Sequence, residues 1–123
     1  MNKKKIYILE DEIITQRVLK QTLEDLNYDV CGAATNAETA LQDIALLKPD
    51  IAILDIRVKG KRTGVWLGNQ LEIPFIYLTA FSDLETIKEA INTKPISYLR
   101  KPFNNKDLYI AVELALSKIV VLK

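Results

Sequence analysis

The 123 residues contain no histidine, one cysteine (Cys31), one tryptophan, one methionine, four glycines and four prolines. Without histidine there is no Ser-His-Asp or Cys-His catalysis, no HExxH zinc site and no phosphohistidine on this chain. Any metal must be held by oxygen ligands, which favours magnesium or calcium over zinc. A lone cysteine cannot close an internal disulfide, which suits a reducing compartment, and the cytoplasm is the expected location. No apolar run approaches the ~20 residues that span a bilayer. MNKKKIYIL has too few apolar residues after its lysines for a signal peptide. A formal net charge of +1 offers no argument for direct nucleic-acid or membrane binding. There is no internal repeat, low-complexity tract or Gly/Ser linker. One domain over 1–123 is expected, with its core at about 4–118.

What is present is an alternation. Five apolar runs, KIYIL (5–9), DVCGAA (29–34), DIAIL (50–54), PFIYL (74–78) and ISYL (96–99), are continuous, as strands covered on both faces are. Between them lie helix patterns. Residues 12–26 place Ile14, Val18, Leu19, Thr22, Leu23 and Leu26 on one face. Residues 36–47 do so with Ala37, Ala40, Leu41 and Ile44, and Thr35 with Glu38 makes a capping box. Ser82 with Glu85 opens another helix, to about Asn92, expected to bury Leu84, Ile87 and Ile91. Asn104 or Asn105 caps the last, whose inner face is Leu108, Val112, Ala115 and Ile119. A short helix near Val65 to Leu71 carries Gly68. Five strands alternating with five helices predict an α/β domain: a flavodoxin-like, three-layer (βα)5 fold with a parallel five-stranded sheet in the order 2-1-3-4-5. Ligands in such sheets bind at the carboxyl ends of the strands, at the switch point between the first and third.

The strand ends carry the chemistry. In YILEDE, Tyr7 to Glu12, an apolar strand runs into three acids. Two like charges about 4 Å apart repel by about 4 kcal/mol at an effective dielectric near 20, so the cluster calls for solvent and a helix start, or for a cation. A helix N-terminus accounts for Glu12. The third strand ends in Asp55, the fourth in Thr79 and the fifth in Lys101-Pro102. Three carboxylates, a hydroxyl and an ammonium suit a hard divalent cation facing a phosphoryl group. Centrally placed Asp55 is the candidate nucleophile, forming an aspartyl-phosphate.

LEDE, ILDI, LTA and YLRKPF, in this order and on these strand ends, resemble the receiver domain of two-component response regulators from about Lys4 to Ser117. The resemblance implies that Asp55 takes a phosphoryl group from a histidine kinase or a histidine phosphotransfer protein. It implies that Mg2+ is ligated by Asp11, Asp55 and the main-chain carbonyl of Arg57, with Glu10, where the family often has aspartate, acting through water. Thr79 and Lys101 would bind the phosphoryl oxygens, Tyr98 would couple to Thr79 in switching, and the Lys101-Pro102 bond would be cis. The chain would act as a switch rather than a turnover enzyme. Its surface of fourth helix, fifth strand and fifth helix would engage a partner or a second copy in a homodimer. Residues 119–123 are expected to begin a linker to a DNA-binding or other output domain.

The loop IRVKGKRTG departs from the family pattern. Gly64 falls one residue later than the commonest spacing, Gly60 stands near where a proline is often found, and the third helix is several residues short. Arg57, Lys59, Lys61 and Arg62 make it basic, either as a solvated loop or as an attractor for an anionic donor. Phe81 would overhang Asp55 and, with Arg57, lengthen the phosphoryl lifetime. Three rivals remain. A flavin carrier needs a hydroxyl- and glycine-rich loop where LEDEII stands. A haloacid-dehalogenase phosphatase needs a second carboxylate that Asp55-Ile56-Arg57 lacks. A phosphorylation-independent interaction module would keep the fold without the chemistry.

Overall fold

A computed structural model describes residues 3–80 and 83–121, and the side chains among these except those of 119–121. The strands are β1 (Lys5–Leu9), β2 (Asp29–Ala34), β3 (Ile51–Leu54), β4 (Phe75–Thr79) and β5 (Ser97–Arg100). They alternate with α1 (Ile13–Asp25), α2 (Ala37–Leu47), α3 (Gly64–Gln70), α4 (Leu84–Asn92) and α5 (Asn105–Val121). All pairings are parallel and the order is β2-β1-β3-β4-β5, as the alternation of runs predicts.

Burial explains why the runs are continuous. The inner strands β1, β3 and β4 are buried almost throughout, whereas β2 and β5, at the sheet edges, are mostly half-buried. Alternate side chains enter two cores. Ile6, Ile8, Ile51, Ile53, Ile76 and Leu78 pack with Leu19 and Leu23 of α1 and Leu108, Val112 and Ala115 of α5. Tyr7, Leu9, Ala52, Leu54 and Tyr77 pack on the other side with α2, Leu67 of α3 and Ala90 of α4. Each fully buried aliphatic side chain contributes roughly 1.5–3 kcal/mol.

The helix faces are narrower than the periodicity suggests. On α1 only Leu19 and Leu23 are buried; Ile14 and Val18 are exposed and line a groove with Pro102 and Phe103. On α4, Ala90 is the buried residue, while Leu84 and Ile91 face outward and Ile87 is half-buried. A helix resting on an edge of the sheet buries a thin stripe, so exposed apolar residues widen the apparent face. The caps shift by one residue where a better acceptor is next in line. Asn36, not Thr35, accepts from the amide of Thr39, and Asp83 accepts from Thr86. Ser82 lies outside the described residues. Asn104 caps α5 through the amide of Asp107. Cys31 is half-buried on edge strand β2, and that burial pushes its thiol pKa up.

Tyr77 ties the sheet to α4. Its ring is fully buried, set edge-on to Phe75 at 5.4 Å and tilted to Tyr98 at 6.0 Å. Its hydroxyl shares a 2.6 Å hydrogen bond with Thr93 Oγ1 at the C-cap of α4. Burial pushes its pKa up to about 12, so it is a neutral hydroxyl at physiological pH. Tyr77→Phe removes one such bond, worth about 1 kcal/mol, and should lower the melting temperature by roughly 3–5 °C. A fall below 1 °C in a calorimetric scan would show that this tether carries no weight.

Candidate functional site

Four strand ends meet at the carboxyl edge of the sheet. β1 leads into Glu10, whose amide donates to Ala34 O at 3.0 Å, extending the β1–β2 ladder by one step. The β1–α1 turn is closed by Gln16, whose Nε2 donates to Glu10 O at 2.9 Å and to Ala34 O at 3.3 Å. β3 leads into Asp55, whose amide donates to Leu9 O at 2.9 Å. β4 ends in Thr79, fully buried, and its carbonyl accepts from the amide of Lys101 at 3.0 Å, just beyond β5. The Lys101–Pro102 bond is cis. Parallel strands of matched register thus deliver Glu10, Asp55, Thr79 and Lys101 to one edge.

The carboxylates of Glu10, Asp11 and Asp55 each present an oxygen within 4.8 Å of the others. Glu10 and Asp55 are buried and Asp11 is half-exposed, so the cluster opens to solvent on the Asp11 side. The Lys101 ammonium enters it, donating to Asp55 Oδ2 at 2.8 Å and to Glu10 Oε1. Glu10 Oε2 accepts from the amide of Glu12 at 3.1 Å. Burial pushes the Glu10 carboxyl above the usual range, against the pull of Lys101. Burial alone would depress the Lys101 ammonium, but its bonds to Asp55 and Glu10 together raise it. The ammonium is therefore a firm cation among three acids, and the set retains an excess of negative charge. That donor set, all oxygen and acidic, fits a hard divalent cation.

Residues 6–113 match the sequence model of the response regulator receiver domain. The chain belongs to that family. This receiver domain is 31% identical over 119 residues to the transcriptional regulatory protein PdtaR of Mycobacterium tuberculosis, an alignment covering 94% of this chain and 58% of that protein. It is 33% identical over 111 residues to the probable transcriptional regulator ycf27 of Cyanophora paradoxa, covering 88% of this chain and 46% of that one. The chain thus spans about half the length of these curated relatives. Among solved structures, the signal receiver domain of a modulated diguanylate cyclase from Desulfovibrio desulfuricans G20 matches with a TM-score of 0.94 at 32% identity, covering 99% of this chain and 100% of that one. A CheY-like receiver domain protein from Methanospirillum hungatei JF-1 matches with a TM-score of 0.86 at 28% identity, covering 95% and 96%. The receiver domain is a component of two-component signalling.

The receiver domain brings together Glu10, Asp11, Asp55 and Lys101, as the strand ends predict, and seats Thr79 at the end of the strand beside them. Tyr98 sits half-buried on β5 against Tyr77, and its hydroxyl pKa is raised by burial. Arg57 directs an exposed side chain from the loop after Asp55. Phe81 lies outside the described residues. Two features escaped the sequence reading. The direct Glu10–Lys101 pair crosses 91 positions of sequence and has no local signal. Gly64 is packed against the Asp55 backbone, and its displaced spacing in the loop was the visible trace. Among the described residues no helix is long and apolar enough to cross a membrane.

Proposed function

We propose that this receiver domain takes a phosphoryl group on Asp55 in a magnesium-dependent transfer from a histidine kinase or histidine phosphotransfer protein in the cytoplasm. The observation that carries the reading is the Lys101 ammonium, 2.8 Å from Asp55 Oδ2, inside a cluster of three carboxylates. An aspartate oxygen attacks the phosphorus of the donor phosphohistidine, the P–N bond breaks, and the imidazole nitrogen keeps the electron pair and takes a proton from solvent. Because residues 1–123 contain no histidine, the donor histidine lies outside them. Asp11, Asp55 and the Arg57 carbonyl would hold magnesium, with Glu10 acting through water; the cation supplies charge neutralisation that lets an anionic donor approach a carboxylate. Lys101 and Thr79 would bind the phosphoryl oxygens.

The product is a switch rather than a turnover enzyme. An aspartyl-phosphate adds a group of high charge with three acceptor oxygens beside a buried hydroxyl. Thr79 would turn toward it and Tyr98 would move into the space vacated, altering the α4–β5–α5 surface. That surface would then engage an output domain, another partner or a second copy of the chain.

Asp55→Asn tests the assignment. Incubated with acetyl phosphate and Mg2+, the wild-type chain should gain one phosphoryl group by intact mass, and the variant none. Uptake by the variant would move the nucleophile elsewhere. No uptake by either, with no magnesium-dependent binding of beryllofluoride, would favour an interaction module that works without phosphorylation.

A further inference from the structure

Between Asp55 and Glu72 the chain carries four cations, Arg57, Lys59, Lys61 and Arg62, and no acid. All four side chains are exposed. A run of this kind could be a tail waving in solvent, but the structure excludes that. Both ends of the excursion are fixed at the candidate phosphoacceptor. Asp55 begins it, and Gly64 returns so closely that its amide donates to Ile56 O at 2.8 Å. In between, Lys59 bridges the backbone of Asn36, the N-cap of α2. Val58 packs against the core, Thr63 caps α3, and the Arg62 guanidinium lies 5.1 Å from the centre of the Trp66 ring. The backbone that carries the basic groups is therefore anchored at the carboxyl edge of the sheet, on the loop that leaves Asp55.

Nearby acids offset only part of this charge. Glu38 approaches Gly60, and Arg57 acts on Asp83, whose carboxyl is held below its usual range first by the hydrogen bond from Thr86. Among the described residues no salt bridge engages Lys59 or Lys61. With magnesium bound, three carboxylates and the Lys101 ammonium would come close to neutral, so the site itself would exert little pull on a phosphate dianion at a distance. Four exposed cations on the anchored loop would add a positive field along one path of approach. Fields of this kind raise encounter rates by about 10-fold to 1000-fold and fade with ionic strength.

We propose that residues 57–62 form an electrostatic entrance for small dianionic acyl phosphates, raising the rate at which they reach Asp55. The proposal rests on Asp55 as phosphoacceptor. In the step concerned, an Asp55 oxygen bonds to phosphorus, the bond from phosphorus to the acyl oxygen breaks, and the carboxylate leaves with the electron pair. The loop lowers no chemical barrier; it changes how often donor and acceptor meet.

The test is the rate of phosphorylation by acetyl phosphate, with saturating Mg2+, as salt is varied. A Lys59→Gln/Lys61→Gln variant should be phosphorylated roughly three- to fivefold more slowly at an ionic strength of about 20 mM. It should match the wild type within about 1.5-fold near 0.5 M, where the screening length is only about 4 Å. Phosphoramidate, which carries less negative charge, should show a smaller difference at low salt. A Lys48→Gln/Lys94→Gln variant removes the same charge from exposed positions at the opposite edge of the sheet and should follow the wild type. Equal slowing at low and high salt, or equal slowing by the remote pair, would overturn the proposal while leaving Asp55 as phosphoacceptor. No phosphorylation of the wild type would overturn the Asp55 reading, and this one with it.

Discussion

Lys101→Met should lower the melting temperature of the metal-free domain by on the order of 10 °C at pH 8, the largest stability loss expected from a single side chain in the site. The reason is what it leaves behind. Glu10 and Asp55 are both buried, and in the folded domain the Lys101 ammonium bonds to both. Removing one partner of a buried pair leaves uncompensated charge and costs about 3–5 kcal/mol, far more than an exposed salt bridge would. The sign of the pH dependence follows. Lys101 has a raised pKa in the fold, so its contribution is complete below its unfolded value of 10.5 and is lost as the pH climbs through the folded value. Glu10 is raised above 4.5, so ionising it works against folding, and stability falls as the pH rises through that window. In Lys101→Met the carboxylate has no cation to offset this. The deficit should therefore shrink as the pH falls and Glu10 takes up a proton, and widen as the pH rises. Adding Glu10→Gln should restore much of the loss, giving a coupling energy of about 1–3 kcal/mol in a double-mutant cycle. A Lys101→Met melting point within 2 °C of the wild type across pH 5–8 would show that solvent already screens the cluster.

Gly64→Ala should cut phosphoryl uptake by Asp55 on the order of 100-fold, although Gly64 is not expected to touch phosphate, metal or donor. A Cβ on Gly64 would lie 2.8 Å from the Asp55 carbonyl carbon, 3.0 Å from Ile56 Cα and closer still to the Asp55 carbonyl oxygen. These are backbone atoms of the segment that carries Asp55, the proposed phosphoacceptor, and they cannot rotate away as a flexible side chain would. Relief requires the segment to move by something near 1 Å, a displacement sufficient for such a loss. It would also shift the Arg57 carbonyl proposed as a magnesium ligand. Gly60→Ala gives the contrast. Gly60 has a φ of +100°, so alanine strains the loop, but its Cβ meets nothing nearer than Glu38 Oε1 at 3.7 Å. That variant should lose about 1–2 kcal/mol of stability while retaining phosphoryl uptake within threefold. Rates read by intact mass, beside melting curves, separate the two. Gly64→Ala with uptake within twofold of wild type would show that the loop yields without disturbing Asp55.

The strands and their order were legible because period and length are local. Five continuous apolar runs separated by helical patterns permit few arrangements once crossovers must be right-handed. The chemistry of the strand ends was legible for the same reason, since a parallel sheet brings every residue that follows a strand to one edge. Glu10, Asp11, Asp55, Thr79 and Lys101 could be grouped without coordinates. Helix faces were less legible. Ile14, Val18, Leu84 and Ile91 have the spacing of core residues, yet they are exposed, because hydropathy records what a side chain is and not what covers it.

By itself, then, the sequence determined the topology, the edge that holds the site and the absence of any histidine donor on the chain. It did so because strand register and residue type are properties of short segments. Only the tertiary structure decided that Lys101 bridges Glu10 and Asp55, that Gly64 presses on the Asp55 backbone, that Tyr77 holds the end of α4, and that the basic loop is pinned at both ends. Each of these joins segments distant in the chain, through contacts of a few ångströms that only packing can set.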